Sequence, residues 1–589
     1  MKKFRAFSFV LLILMLSSFV KSQHIVHVDL NEREDDLFYV EVFPEKLSKE
    51  NGVFNFAATA PGAYQRMDLG RYVKSFQAFD KDEYEIEVEQ ISTNRWKIAE
   101  PEKVERIFYL IAETWDTPVE KDPIYRMAGS SIEDDNVLIN GNCVFGYFDG
   151  MQHYPVNLEL SYPSDWIVGT ALEKNGNDYY VVEDYDHIVD SPILAGELSK
   201  ASLDISGTEV DVFTYSKTGL IKSQDLLDSV EDILFAAEDF INGLPVDRYA
   251  FLFHFEDVGA GAWEHNYSSI YVMQESELTD QVIQDLRSIV AHEFFHIVTP
   301  LHIHSELVSN FNFAEPDLSQ HTWFYEGVTE WASDILQLRD SLITLEEYLA
   351  QMTIKLRQAE NFNHELSLRD LSENAIELQD QFYLFYCRGA AVASLLDLKL
   401  LKLSGGKRGL REVINELAKD YGTEKPFGEK SFFDEFVNRT YPEIKDFIDN
   451  YIKDAKKLPL KELYEEIGVK YIEVAGYDSS RIGFDLGIGF KDNKFVVTKV
   501  ENDEYDIRLG DVYYKYNGEE ITQENVQEIF IGLTSSQPGD TAKITFKRGE
   551  EEFEIEYVFK PRRIKHSFEI SENATEEQLK LREVFMKNL

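Results

Sequence analysis

Cysteine is nearly absent: Cys143 and Cys387 are the only two in 589 residues. Disulfides therefore cannot staple the chain, and its stability must come from packed cores. The two lie far apart in sequence and Cys387 falls in a predicted buried helix, so a bond between them is not expected. Basic charge is also scarce. Against 107 Asp and Glu stand 59 Lys and Arg, a net charge of -48. Such a surface repels phosphate backbones and anionic membranes, which excludes nucleic acid as a partner. Internal repeats and low-complexity tracts are missing as well. What is present is core material. Apolar residues make up 44% and aromatics 13%, which excludes disorder over most of the length. At about 150 residues per domain the length predicts about four units, or three if one is large.

At the start, Lys2, Lys3 and Arg5 precede an apolar run from Phe7 to Val20, followed by Lys21-Ser22. The run is shorter than the roughly 20 residues that span a bilayer, and its layout is that of a signal peptide. Cleavage after Ser22 is expected. No second run of membrane length follows, so no stable membrane insertion is expected after cleavage, and the chain is expected in the periplasm or outside the cell.

Periodicity divides the rest into a multidomain α+β protein. From residue 23 to 196 the chain reads as an all-β domain, a sandwich by its pattern. His24–Leu30, Val53–Ala57 and Tyr84–Gln90 alternate, with turns at Pro61-Gly-Ala-Tyr64, Asn140-Gly-Asn142 and Asn175-Gly176. Residues 197–458 are mainly helical after a few strands. Gln224–Asn242 has helical spacing and ends at Gly243-Leu-Pro245, Arg248–Phe255 is an apolar strand, and Thr279 onward is helix upon helix. Period two returns over 459–563, with strands at Ile482–Phe490, Lys494–Lys499, Val512–Asn517 and Thr541–Arg548. A turn falls at Asn517-Gly518 and a helix at Thr522–Leu533. Residues 564–589 form a polar tail with one candidate helix, Ala574–Met586.

The chemistry gathers at His292-Glu-Phe-Phe-His296, inside the helical stretch from Gln281 to Val298 that Thr279 caps and Pro300 closes. Positions four apart share a helix face, so both imidazoles can reach one metal ion, and Glu293 can approach a water on it without being a ligand. Two imidazoles with an open position on Zn2+ is hydrolytic chemistry. A third ligand is offered by Trp323-Phe-Tyr-Glu-Gly-Val-Thr-Glu330, where Glu326 completes a His, His, Glu set. Glu330, one turn on, can accept the free N–H of a ligand imidazole. His302 and His304 lie beyond Pro300 and are expected in core or rim roles.

HEFFH followed thirty residues after its second histidine by E-G-x-T-E resembles the glycyl aminopeptidase family of zinc metallopeptidases, whose catalytic domain is thermolysin-like. Gly261-Ala-Trp-Glu-His265 is similar to the family's G-G-x-E-H strand, and Tyr386-Cys-Arg-Gly-Ala390 to its Y-x-K-G-A helix, with Arg388 in place of lysine. Asp184–Pro192 with Gly196 resembles the family's approach to the catalytic domain. Leu509-Gly-Asp-Val512 with Asn517-Gly518 resembles its C-terminal PDZ-like domain. The resemblance implies one zinc per chain on His292, His296 and Glu326, with Glu293 as general base and then proton donor. It also implies that Tyr386 stabilises the oxyanion and Glu264 meets the substrate's α-ammonium, on a strand whose Gly261 and Ala262 can pair with the peptide. Peptide substrates, small N-terminal residues (glycine and alanine) and a peptide or protein C-terminus at the PDZ-like domain are implied likewise. The sequence departs from the pattern at Ile297–Ser305, where the family's W-N-x-K-R is absent, and at Glu504–Arg508, which lacks its Ala-Gly. Two alternatives stay open: a zinc endopeptidase on the same scaffold, and a degenerate peptidase fold acting as a PDZ-based peptide-binding or scaffold protein.

Overall fold

In His24–Asp29, every second side chain is buried, as a strand with one wet face requires. The computed structural model describes residues 23–259, 261–422, 425–483, 486–491, 494–500, 505–522 and 525–589. The expected signal segment 1–22 lies outside the described residues. His24–Asp29 sits inside a seven-stranded sheet, between Val156–Ser161, which it pairs in parallel, and Leu37–Phe43, which it pairs antiparallel. Two four-stranded sheets share one core with it, built on Val28, Val40, Phe54, Phe56, Tyr109 and Ile139.

The stretch Tyr84–Gln90 is not one strand. Glu85–Ile86 pairs within the seven-stranded sheet and Val88–Ser92 within a four-stranded one, so the chain changes sheets at Glu87. Two short helices, Gly141–Val144 and Tyr185–Val189, interrupt this β-rich unit. The first occupies the expected Asn140–Asn142 turn. A Cβ on Gly141 would lie 2.0 Å from the Ile188 carbonyl oxygen, so only glycine lets the two helices meet. At Asn175-Gly176 the loop is wider than a two-residue hairpin: Lys174 bridges Tyr180, and Asn175 N–H donates to Tyr179 O at 2.9 Å.

The second unit begins with a five-stranded sheet in the order Ser199–Ile205, Thr208–Ser216, Arg248–Glu256, Ser268–Gln274, Gly261–His265. Its three middle strands run parallel, and Gly261–His265 closes one edge antiparallel. Tyr249, Phe251 and Phe253 face the helices, whereas Ala250 and Leu252 pack into the N-terminal core. Burial on both faces explains why Arg248–Phe255 reads as continuously apolar instead of alternating. Helices follow. Ala390–Ser404 is buried almost all round, as its apolar circumference predicts. Both cysteines are free and buried.

The C-terminal β-rich module has a small core of its own, with Val497, Tyr513, Ile544 and Phe546 at its centre. Its Val512–Tyr516 strand turns at Asn517 and Gly518, both with positive φ, into Glu519–Glu520. A two-stranded ribbon, Val469–Gly483 against Lys560–Ile570, joins the module to the helical unit. That second strand crosses residue 563, where the tail was expected to begin. The last helix, Glu576–Phe585, docks on the helical unit, where Phe585 is fully buried. Arg339 Nε–H donates to the Phe585 carbonyl at 3.1 Å and Arg339 Nη2–H to Asp397 Oδ2 at 2.8 Å. Both charged side chains are buried, so Arg339→Met leaves an uncompensated carboxylate and should cost about 3–5 kcal/mol. Urea unfolding should show this as a lower midpoint.

Candidate metal centre

Thr279 starts the histidine helix, Asp280–Phe295, by accepting from Val282 N–H, and His296 occupies its C-cap. The helix ends earlier than the apolar pattern to Val298, but both histidines keep one face. His292 Nδ1–H donates to Glu330 Oε2 at 2.7 Å and His296 Nδ1–H to the Thr299 carbonyl at 2.9 Å. Oxygen acceptors on both Nδ1 atoms fix the protons there and leave the Nε2 atoms to converge, 3.1 Å apart. Glu326 Oε2 stands 3.6 Å from one and 3.8 Å from the other.

Two imidazole nitrogens and a carboxylate oxygen, all buried and within reach of one point, can hold a cation between them. Two nitrogens held by one tetrahedral zinc at about 2.0–2.1 Å would lie roughly 3.3 Å apart, close to the spacing here. The donor set fits zinc. Lys355 supports it from behind, with Nζ 2.7 Å from Glu330 Oε1 and 2.9 Å from Asp334 Oδ2. Burial alone would raise the Glu330 carboxyl, but Lys355 and His292 overcome it and hold the group at about 2. Glu330→Gln should therefore weaken zinc binding by about 10–100-fold, read by competition with a fluorescent chelator.

Glu326 and Tyr386 come together through two short π-helical turns, Trp323–Val328 and Phe385–Gly389. The turns cross where Gly327 meets Gly389. A Cβ on Gly327 would lie 2.8 Å from backbone atoms of Gly389, so a side chain at this crossing would force the turns apart. Tyr386 is half-buried, its ring 5.3 Å from that of His292. Burial, with Glu326, Glu293 and Glu264 nearby, keeps its hydroxyl protonated far above the ordinary value.

Glu293 is buried beside the cluster, and burial pushes its carboxyl up to about 7. Glu264 lies on the edge strand Gly261–His265, 8% exposed, with oxygen close enough to group with Glu293 and His296. Burial first, then Glu326 and Glu293, raise it well above the carboxylate range. Gly261 is exposed and Ala262 half-buried on the same strand. His302 and His304 turn away. Their Nδ1–H groups donate to the carbonyls of Ile297 and Pro300 at 2.8 and 2.7 Å, in the core and rim roles expected.

Sequence reasoning missed Lys355 and the loop Pro61–Tyr64. Lys355 falls on the buried face of Leu345–Ala359, with Tyr348, Met352 and Leu356, and a lysine in an apolar stripe was the available signal. The loop was read only as a turn. Tyr64 faces the cluster, near Glu326 and Glu264, and Gly62 lies so close to Glu264 that a Cβ would stand 2.7 Å from Oε1. Nothing in the local sequence places an N-terminal loop at this site.

Residues 25–197 match the family description "Peptidase M61 N-terminal domain", and residues 285–390 match "M61 glycyl aminopeptidase". No curated protein matches the sequence. Among solved structures, an aminopeptidase N family protein from Idiomarina loihiensis shares the fold. Its TM-score is 0.75 at 20% identity, over 95% of this chain and 99% of that one. A mutant M1 zinc metallopeptidase from Deinococcus radiodurans, bound to a Tyr-Ser-Ala substrate, gives 0.47 at 12% identity, over 74% of this chain and 95% of that one. With the buried His, His, Glu cluster and the two family matches, the chain belongs to the M61 glycyl aminopeptidase family of zinc metallopeptidases.

Proposed function

We propose that this zinc-dependent aminopeptidase removes single small residues, glycine and alanine, from the free N-termini of peptides, with one zinc on His292, His296 and Glu326. The observation that carries the exopeptidase reading is Glu264, a buried carboxylate without a Lys or Arg partner among the described residues, on a free sheet edge beside the cluster. A buried acid in that state gains most from a cation, and the substrate's α-ammonium is one. The edge strand offers backbone groups at Gly261 and Ala262 for the peptide to pair with. Gly62 and Tyr64 narrow the space over Glu264, which suits a small first residue.

A zinc ion held by the three ligands supplies Lewis acidity to a water molecule and to the scissile carbonyl. Glu293 takes the proton from the attacking water and returns it to the leaving amine. Tyr386, kept protonated, donates a hydrogen bond to the oxyanion that develops on the carbonyl. Glu330 and Lys355 hold the His292 ring in its orientation.

Export to the periplasm or beyond is part of the proposal, resting on the expected signal segment. Among the described residues no helix is long and apolar enough to cross a membrane. The C-terminal module is proposed to dock a peptide or protein C-terminus in the shallow apolar groove lined by Ile488, Phe495 and Ile529.

The test is cleavage of glycyl and alanyl anilides beside an N-acetylated peptide of the same sequence. Acetylation should abolish cleavage. Glu264→Gln should raise KM for free-amine substrates at least tenfold with zinc content unchanged, since the lost contact is a charge-assisted one. Undiminished cleavage of the acetylated peptide would assign the chain as an endopeptidase.

A further inference from the structure

Behind the turn that carries Tyr386 lies a separate cavity of about 310 Å³, lined by none of the metal-cluster residues. It opens between the helix Leu345–Ala359, the loop before Leu460 and the ribbon that leads to the C-terminal module. Leu356, Leu384 and Leu460, all buried, are among its lining residues. Arg388 projects among them, 8% exposed. Its Nη2–H donates to the Lys456 carbonyl at 3.0 Å, while the buried Nε–H finds no acceptor among the described residues. Burial holds the guanidinium below its ordinary value, and Asp454 only partly opposes that.

A guanidinium buried this far is nearly always paired with an anion, because leaving it alone forfeits its hydration without return. Its planar fork matches a carboxylate in two parallel hydrogen bonds, which a lysine cannot reproduce. Glu473 also lines the cavity, held by Lys457, another lining residue, at 2.7 Å in an exposed pair. Such a pair contributes little and can be exchanged for another cation. Glu360 lines the cavity too, but it is engaged by Lys565 and by His566 at 3.5 Å. A buried guanidinium unpaired among the described residues, leucine side chains and an exposed acid describe one ligand chemistry, and the volume is at the small end of ligand pockets.

We propose that this cavity binds a free apolar α-amino acid, its carboxylate on Arg388, its side chain on Leu356 and Leu384 and its ammonium at Glu473. The assignment does not depend on the zinc-site reading.

The test is calorimetric titration of the full-length zinc-loaded protein with L-leucine, L-leucinamide and 4-methylpentanoate. Wild type should bind one more leucine than Arg388→Met, or bind that leucine at least tenfold more tightly. Leucinamide should not fill the extra site, and 4-methylpentanoate should fill it more weakly than leucine. Ala359→Trp, which fills the cavity from the helix side, should abolish the same site and serves if the arginine variant does not fold. Equal leucine binding in wild type and a folded variant, or equal binding of leucinamide, would overturn the assignment. Equal binding of 4-methylpentanoate would overturn the ammonium contact.

Discussion

Glu293→Gln is expected to lower kcat/KM by about 10²–10⁴-fold while zinc content stays at the wild-type level. The substitution keeps the shape of the side chain and removes its ability to take a proton. Zinc content should hold because the proposed ligands, His292, His296 and Glu326, form a three-donor group without Glu293. Burial pushes the Glu293 carboxyl up to about 7 in the absence of metal. A dication a few ångströms away stabilises the carboxylate and draws that value down. A base must be deprotonated to act, so wild-type kcat/KM should rise with pH along a limb centred below 7 and then level off. The variant should lose that limb, because its amide has no proton to shed. Kinetics from pH 4 to 9, with zinc measured by atomic absorption, check both statements. A variant that hydrolyses anilides at the wild-type rate would remove Glu293 from the mechanism.

The cluster of His292, His296 and Glu326 was legible because its rules are local. Helix geometry alone brings His292 and His296 together, and an acid four residues before another in an aromatic-flanked helix start marked Glu326 and Glu330. The apolar two-sided strand Arg248–Phe255 and the Asn517-Gly518 turn were legible for the same reason. What escaped depends on segments distant in sequence. Tyr64 reaches the cluster through a loop whose carbonyl oxygen accepts from Gln379 Nε2–H, and a turn motif says nothing of what it will touch. Lys355 pairs with Glu330 only after two helices have packed. The crossing at Gly327 and Gly389 is a tertiary fact written as two ordinary glycines. The final helix was visible as a helix, but its polar composition hid the one buried anchor, Phe585.

Zinc affinity should fall steeply with acid, and the slope should report which groups give up protons. In the metal-free cluster, burial works against the charge on His292, yet Glu326 and Glu330 hold it well above its ordinary value. His292 is therefore protonated when free and must be neutral when bound, so binding strengthens as pH rises. His296 contributes little to this dependence, since burial drops it to about 4, and Glu330 stays ionised down to about 2. Glu293, at about 7 without metal, adds a second proton below that pH, expelled by the field of the dication without ligation. The apparent Kd should weaken by about tenfold per pH unit above 7 and approach a hundredfold per unit below it, by the one- and two-proton stoichiometries. In Glu293→Gln the second proton is gone, and the slope should stay near tenfold throughout. Chelator competition across pH 5–8 separates the two. A wild-type slope near zero would mean that His292 is already neutral in the free protein, and that Glu326 and Glu330 do not hold a proton on it.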